Sequence, residues 1–395
     1  MAFLKYKNGE LVFGLKEHRL ADLQDRATPF YAYEWSGIAS RYQTMVDAFD
    51  GKAELHFAMK SNSHPEILAN LAKLGAGVDI VSGGELAIAL QAGFPADRIV
   101  FSGVGKSVDE LRAALRAGIQ QINVESEPEL LRIQKVAAEL GVKAPVALRL
   151  NPDISAETHP YITTGFRENK FGLEKGAALR CLDVLKAHPQ QLHFRGLTLH
   201  IGSQLFKLHD YRDALLWVLD FAKEVETAGF KIENLDLGGG LGIYYEADRH
   251  ADEAELLREY ARMVLAELAG RPYQLQLEPG RWIVGHSGVL VTSVEYVKTT
   301  PYKNFLIVDS GMHHLIRPSL YSAIHRVFPM REGVADDVYD VVGPICESSD
   351  FLAKKCPLPV MQEGDRLVIA DAGAYGYEMG SEYNAKARAE RVLLP

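Results

Sequence analysis

Between residues 55 and 278 the chain repeats one pattern eight times: a short apolar run, then, in most cases, a stretch with helical spacing. The runs are residues 55–60, 77–81, 98–101, 121–124, 146–150, 196–201, 235–238 and 275–278. Each is short enough for a buried strand. Eight strand–helix units in a row is the count that closes a parallel (β/α)8 barrel, an α/β fold whose chemistry lies where strands run out into loops. The polar residues gather at those ends: Lys60, Asp79, Arg149, His200, Gly238 to Gly240, and Glu278.

The helical stretches carry their own start signals. Ser63–Glu66, Ser82–Glu85, Ser107–Glu110 and Ser126–Glu129 all read S-x-x-E, the capping box in which serine and glutamate satisfy orphan backbone N–H groups. Gly77 and Gly93 follow alanines near expected helix ends, where glycine permits a left-handed stop. Two strand-to-helix connections are long for such a barrel, 151–173 and 202–210, and length there suggests a functional loop. After Glu278 the pattern changes. Residues 289–297, 305–308 and 366–370 read as strands without strong helices between them, which implies a second, mostly β domain. Residues 1–29 lack barrel patterning, and Val12-Phe13-Gly14 suits an early strand of that second domain. The expected boundaries are 30–280 for the barrel, and 1–29 plus 281–395 for the β domain.

Composition narrows the function. A formal charge of −9 argues against a nucleic-acid binder, which needs a basic face. No apolar run reaches the length of a membrane span, and the N-terminus lacks the apolar core of a signal peptide. Three scattered cysteines, Cys181, Cys346 and Cys356, make neither a disulfide framework nor a zinc site, so a reducing cytoplasm and no metal are expected.

A lysine at a strand end is costly to bury as an ammonium, but it gains a reason to be there if it forms a Schiff base with a carbonyl cofactor. The plainer reading of Lys60 is a surface lysine at a loop start. Gly238, Gly239 and Gly240 follow the seventh run, where bare backbone can turn N–H groups toward a phosphate; they could also make only a tight turn. Glu278 ends the eighth run, and a carboxylate facing a pyridine nitrogen makes that ring an electron sink; the alternative is a salt bridge to Arg281. His200 could stack on a flat ring, with Ser203 donating to a phosphate. Asp79 and Arg149 could support Lys60 and Glu278 by charge pairing, or be purely structural. Lysine, phosphate nest, carboxylate and stacking ring together describe a site for pyridoxal 5'-phosphate.

Longer motifs carry a resemblance. Phe57-Ala58-Met59-Lys60-Ser61-Asn62, Asp79-Ile80-Val81-Ser82-Gly83-Gly84-Glu85, His200-Ile201-Gly202-Ser203-Gln204, Glu278-Pro279-Gly280-Arg281, the 164–172 run, Arg317-Pro318-Ser319-Leu320-Tyr321, Gly343-Pro344-Ile345-Cys346-Glu347-Ser348 and Gly373-Ala374-Tyr375-Gly376 together resemble the fold-type III pyridoxal-phosphate decarboxylases, and within them the diaminopimelate decarboxylase group. The resemblance implies an alanine-racemase-like barrel followed by a Greek-key-like β domain. It implies that Lys60 holds the cofactor, His200 stacks on it and Glu278 pairs with the ring nitrogen. Ser203 and Gly238 to Gly240 would take the phosphate, with Asp79, Gly280, Arg281 and Tyr375 completing the cofactor set. Arg281, Arg317, Tyr321, Glu347 and Tyr375 would recognise the far end of the substrate. A homodimer is implied, with Cys346 and Glu347 reaching into the neighbouring copy's site and Cys346 or Lys60 returning a proton. Paired arginines suit a distal carboxylate and would repel a distal ammonium. The open alternatives are a decarboxylase of the same fold for carboxynorspermidine, ornithine, lysine or a carrier-bound glutamyl group, a racemase, and a non-catalytic binding protein. Two runs depart from the group's usual pattern: Ser381-Glu382-Tyr383-Asn384-Ala385-Lys386 stands for Ser-Asn-Tyr-Asn-Ser-Arg, and Met312-His313-His314 for Met-Asn-Asp.

Overall fold

The structure is a computed structural model that describes residues 3–152 and 169–395. It divides into two compact units. One comprises Gln43–Gly242 and Ala254–Gly280, the other Met1–Tyr42, Ile243–Glu253 and Arg281–Pro395.

The first unit is a closed barrel of eight parallel strands. In chain order they are Ala53–Ala58, Gly77–Ile80, Ile99–Phe101, Gln121–Val124, Ala144–Leu150, Leu192–Leu199, Asn234–Asp236 and Gln274–Leu277, and the eighth pairs back to the first in the register Leu275↔Ala53. Every expected strand is present. Helices follow the first seven strands, while the eighth leads only into the one-turn helix Arg281–Val284. The 14-residue helix Trp35–Ala48 precedes the first strand instead.

Only one of the four expected capping boxes has both halves. Ser107 accepts from Glu110 N–H, and the Glu110 carboxylate accepts from Ser107 N–H. At Ser82 and Ser126 the serine half forms, but Glu85 turns to Val81 N–H and Glu129 to Glu125 N–H. Ser63 is not the cap residue of the next helix, because Pro65 opens that helix and His64 takes the cap position. The expected left-handed stop at Gly77 is corrected as well. Gly77 is the first residue of a strand, and Gly75, at φ 85°, makes the turn.

The barrel interior is unusually polar for a fold whose inward layers are mostly branched aliphatics. Gln121, Asn123, Asn234 and Gln276 are buried, and their amides form a chain. Asn234 Nδ2 donates to Gln121 Oε1 at 2.5 Å and to Gln276 Oε1 at 3.1 Å. Gln276 Nε2 passes a bond to Glu54 at 3.3 Å, and Gln121 Nε2 to Asn123 Oδ1 at 2.7 Å.

In the second unit, the 12-residue strand Gly288–Thr299 pairs antiparallel with Phe30–Glu34, Arg366–Ile369 and Asn304–Val308. Phe30–Glu34 also pairs parallel with the last strand, Glu390–Leu394. The expected barrel boundary at residue 30 therefore moves: sheet pairing holds Phe30–Glu34 in the β unit, and 243–253 joins it too. Asn304–Val308 continues into Asp337–Val342 and Phe351–Leu358. The early strand Glu10–Phe13 pairs within a small three-stranded sheet rather than adding to the large one. Its Leu11 and Phe13 share a core with Phe30, Val289 and Val368.

Candidate active site

Three of the expected barrel residues stand just past a strand rather than on it. Lys60 lies in a 3-10 turn, Met59–Ser61, directly after the first strand. His200 and Glu278 each follow the last residue of their strands. Strand pairing has ended there, so the side chains are held by other contacts.

Lys60 Nζ donates to Asp79 Oδ2 at 2.7 Å, and Asp79 is fully buried at the end of the second strand's hydrogen-bonded ladder. A half-buried ammonium is thus held against a buried carboxylate. Arg149 does not join them. It donates to Glu125 at 2.6 Å, and the other Glu125 oxygen accepts from Gly172 N–H at 2.8 Å. The 151–173 connection falls mostly on residues outside those described, as does most of the 164–172 motif.

Glu278 sits among acids. Burial, then the neighbouring Asp236 and Asp79 carboxylates, push its pKa well above the usual carboxylate range. Oε1 accepts from Asn123 Nδ2 at 3.3 Å and lies 3.4 Å from Ser102 Oγ. Asp236 Oδ1 accepts from Gly238 N–H at 2.8 Å. His200 moves the other way: burial, then Arg149 and Lys60, press its pKa well below the ordinary value. Its Nδ1 accepts from Gly239 N–H at 3.2 Å, which requires a lone pair on that nitrogen.

The glycine run is a cradle that side chains would fill. Gly238 and Gly240 have φ of 64° and 107°. A Cβ on Gly239 would come within 2.2 Å of the Glu278 carbonyl oxygen, and one on Gly240 within 2.2 Å of the Gly202 carbonyl oxygen. Gly280 is close-packed too, though less severely, since its Cβ would meet Ser61 Oγ at 2.9 Å. Ser203, half-buried, lies in the 202–207 connection; the next helix starts at Leu208 rather than Asp210. Lysine, acid, neutral imidazole and side-chain-free backbone fit a phosphorylated pyridine aldehyde.

The β unit holds a different set. Arg281 Nη1 donates to Tyr245 Oη at 2.8 Å, and the same guanidinium lies 4.8 Å from the Tyr375 ring centre. Arg317 stacks 5.0 Å from the Tyr245 ring centre and donates to His325 Nε2 at 2.8 Å. Both arginines are buried, and Tyr321, half-buried, closes the one-turn helix that Arg317 opens. Cys346 and Glu347 are exposed. Glu347 accepts from Tyr383 Oη at 2.6 Å, and Cys346 N–H donates to Asn384 Oδ1 at 3.0 Å. Glu382, one of the departing residues, is exposed.

The sequence reading missed Asn123, Ser102 and Asp236, and with them Tyr245, His325, Tyr383 and Asn384. Asn123 and Asp236 left a signal: polar residues at alternate positions of Gln121-Ile122-Asn123 and Asn234-Leu235-Asp236, which place side chains on one face of a strand; Ser102 follows the apolar run Ile99-Val100-Phe101 and has no such alternation. The other four meet their partners through the folded chain; Tyr383 and Asn384 stood in the run compared with the group's pattern but with no partner indicated, and Tyr245 and His325 left no signal.

The pattern of a known domain, described as "Pyridoxal-dependent decarboxylase, pyridoxal binding domain", matches residues 35–285. A diaminopimelate decarboxylase of Pseudomonas fluorescens is 46% identical over 100% of this chain and 94% of its own length. The crystal structure of diaminopimelate decarboxylase from Helicobacter pylori, complexed with L-lysine, superposes with a TM-score of 0.90 at 41% identity, covering 95% of this chain and 94% of that one. The crystal structure of diaminopimelate decarboxylase from M. jannaschii, also in complex with L-lysine, gives a TM-score of 0.90 at 34% identity over 100% of this chain and 94% of that one.

Proposed function

We propose that this chain, which belongs to the pyridoxal-dependent decarboxylase family, removes one carboxylate of meso-2,6-diaminopimelate as CO2 and releases L-lysine. The observation that carries the substrate is the buried pair Arg281 and Arg317, held by aromatic rings in the β unit. Two desolvated guanidiniums suit a carboxylate and oppose a bare ammonium. The names of the full-length relatives support the same substrate.

Pyridoxal 5'-phosphate, when bound, supplies the conjugated ring that accepts the electron pair left as CO2 departs. The residues do the rest. Lys60 Nζ would hold the cofactor through its carbonyl carbon, the position at which the substrate amine would be received. Glu278 would face the ring nitrogen and could share a proton with it, since its surroundings favour the protonated acid. His200 is the flat neutral group for the ring face, and backbone N–H groups of Gly238 to Gly240 with Ser203 take the phosphate. Asp79, Gly280 and Tyr375 complete the cofactor's surroundings.

Arg281 and Arg317, with Tyr321, grip the distal carboxylate, and Glu347 takes the distal ammonium. Cys346 or Lys60 returns a proton to the carbon that lost CO2. Cys346 and Glu347 are exposed on the single chain, which suits residues acting in a second copy, and a cytoplasmic homodimer is the proposed working form. Among the described residues no helix is long and apolar enough to cross a membrane.

The test joins a spectrum to a product. Purified protein with pyridoxal 5'-phosphate should show a visible band that Lys60→Ala abolishes, and it should release CO2 and lysine from meso-diaminopimelate. A band without CO2 release would move the substrate to another amino acid.

A further inference from the structure

We propose that His325 is the positioning residue that keeps the distal-carboxylate site positively charged, because it holds Arg317 with an uncharged acceptor where a carboxylate would neutralise it. The proposal rests on the reading of Arg317 given above.

Hydrogen-bond chemistry fixes the state of the ring. His325 Nδ1 lies 2.9 Å from the Ala370 carbonyl oxygen, which can only accept, so Nδ1 carries a hydrogen. His325 Nε2 lies 2.8 Å from Arg317 Nη1, which can only donate, so Nε2 carries a lone pair. One proton and one lone pair make a neutral imidazole. Burial and then the Arg317 charge hold its pKa down to about 3, in agreement with that tautomer.

The next residue shows the contrast. Arg326 donates to Asp371 at 2.9 Å, an ion pair in which a buried carboxylate cancels the charge of a half-buried guanidinium. Among the described residues no carboxylate pairs with Arg317, and its Nε is buried without a hydrogen-bond partner. The same guanidinium lies over the Tyr245 ring, itself edge-on to His325 at 5.5 Å. A guanidinium oriented on one side by a neutral acceptor and an aromatic face keeps both its charge and a donor for an incoming carboxylate. An aspartate or glutamate at position 325 would orient the arginine equally well and remove the attraction.

The experiment compares two ligands of the holoenzyme that differ in this carboxylate. L-Lysine retains it, and cadaverine (1,5-diaminopentane) lacks it. Binding is read from the cofactor's absorbance, independently of turnover. His325→Gln, which restores a neutral acceptor, should bind both ligands within about threefold of the wild type. His325→Glu should weaken L-lysine by about tenfold or more, the scale of a lost charge-assisted contact, while cadaverine binding holds or tightens. With meso-diaminopimelate, KM should rise more than kcat falls. If H325E does not fold, His325→Met carries the test, with L-lysine weakened at least about threefold relative to cadaverine. Equal losses for both ligands, or none, in a wild type that prefers L-lysine would overturn the role of His325 alone. A wild type with no preference would overturn the reading of Arg317, and the proposal with it.

Discussion

Glu278 is a group whose folded environment opposes its own charge. Its pKa is raised in the folded chain above the ordinary carboxyl value. Between those two values the folded state binds the extra proton, so stability declines as pH rises through that window. At neutral pH the cofactor-free protein therefore carries an unfavourable contribution from Glu278. Glu278→Gln, permanently neutral, should raise the Tm of the cofactor-free protein at pH 7 while lowering CO2 release by about a hundredfold or more, because no charge remains for the ring nitrogen. Parallel melting curves and initial rates check both signs; a lower Tm in the variant would mean the carboxyl is better accommodated than its neighbours imply. At Gly239 the expectation is steric. Gly239→Ala drives a Cβ to within 2.2 Å of the Glu278 carbonyl oxygen. The cradle must shift, and cofactor affinity should fall by about tenfold or more in a titration.

At the scale of elements, two stretches of chain meet around Cys346. Asn384 has φ 55°, a conformation that asparagine tolerates better than most residues, and there its Oδ1 accepts from Cys346 N–H. His314 Nε2, 2.8 Å from the Ala387 carbonyl oxygen, ties down the same stretch. Asn384→Gly keeps the backbone free to turn but loses the acceptor, so kcat should drop several-fold with Tm nearly unchanged. Asn384→Val should lower both. Equal kcat in wild type and N384G would show that Cys346 needs no such hold. A simpler element, the helix Val108–Ala117, should lose about 1 kcal/mol on Ser107→Ala by chemical denaturation, since its capping box is complete.

These elements differ in how far the sequence announced them. The barrel strands were legible because burial on both faces writes a continuous apolar run, and their ends marked Lys60, His200 and Glu278 to within two residues. The caps were half legible, since a glutamate three residues after a serine has other N–H groups within reach, as at Glu85 and Glu129. The hold of Asn384 on Cys346 spans 38 positions of chain and had no local pattern to show.

Across the molecule, the β unit is tied by an alternating series of buried charges. Arg41 pairs with Glu253 at 2.8 Å, His286 bridges Glu253 at 2.8 Å and Asp371 at 2.7 Å, and Asp371 ends on Arg326. The His250 ring packs against His286 at a tilt of 41°, with ring centres 4.2 Å apart. His250, His286 and Asp371 could together face a metal ion, but both His286 nitrogens already face carboxylates, which is how an imidazolium is held. Hydrogen bonds from His286 and the charges of His286 and Arg326 outweigh burial and lower the Asp371 pKa to about 2. Its stabilisation is present above the ordinary aspartate value and disappears as pH falls from there through about 2. The His286 pKa is raised, as its carboxylate partners outweigh burial, so its contribution is full below the ordinary histidine value and disappears as pH rises through the raised one. Asp371→Asn should therefore flatten the acid limb of a stability–pH curve, removing about 2–3 kcal/mol of its fall. An acid limb unchanged in D371N would place the acid sensitivity elsewhere.

The amide chain inside the barrel has a direction. Both Asn234 Nδ2 hydrogens point outward along it, and each later amide passes a donor onward until one branch ends on Glu54 and the other on Glu278. Such a chain has no slack. Turning one amide over sets donor against donor at the next, and replacing one with an aliphatic residue strands a buried polar group on either side. Substitutions at Gln121, Asn123, Asn234 and Gln276 should then be strongly non-additive, with a second change partly repairing the first. In descent, these four positions on three strands would behave as a single heritable character, drifting together or not at all.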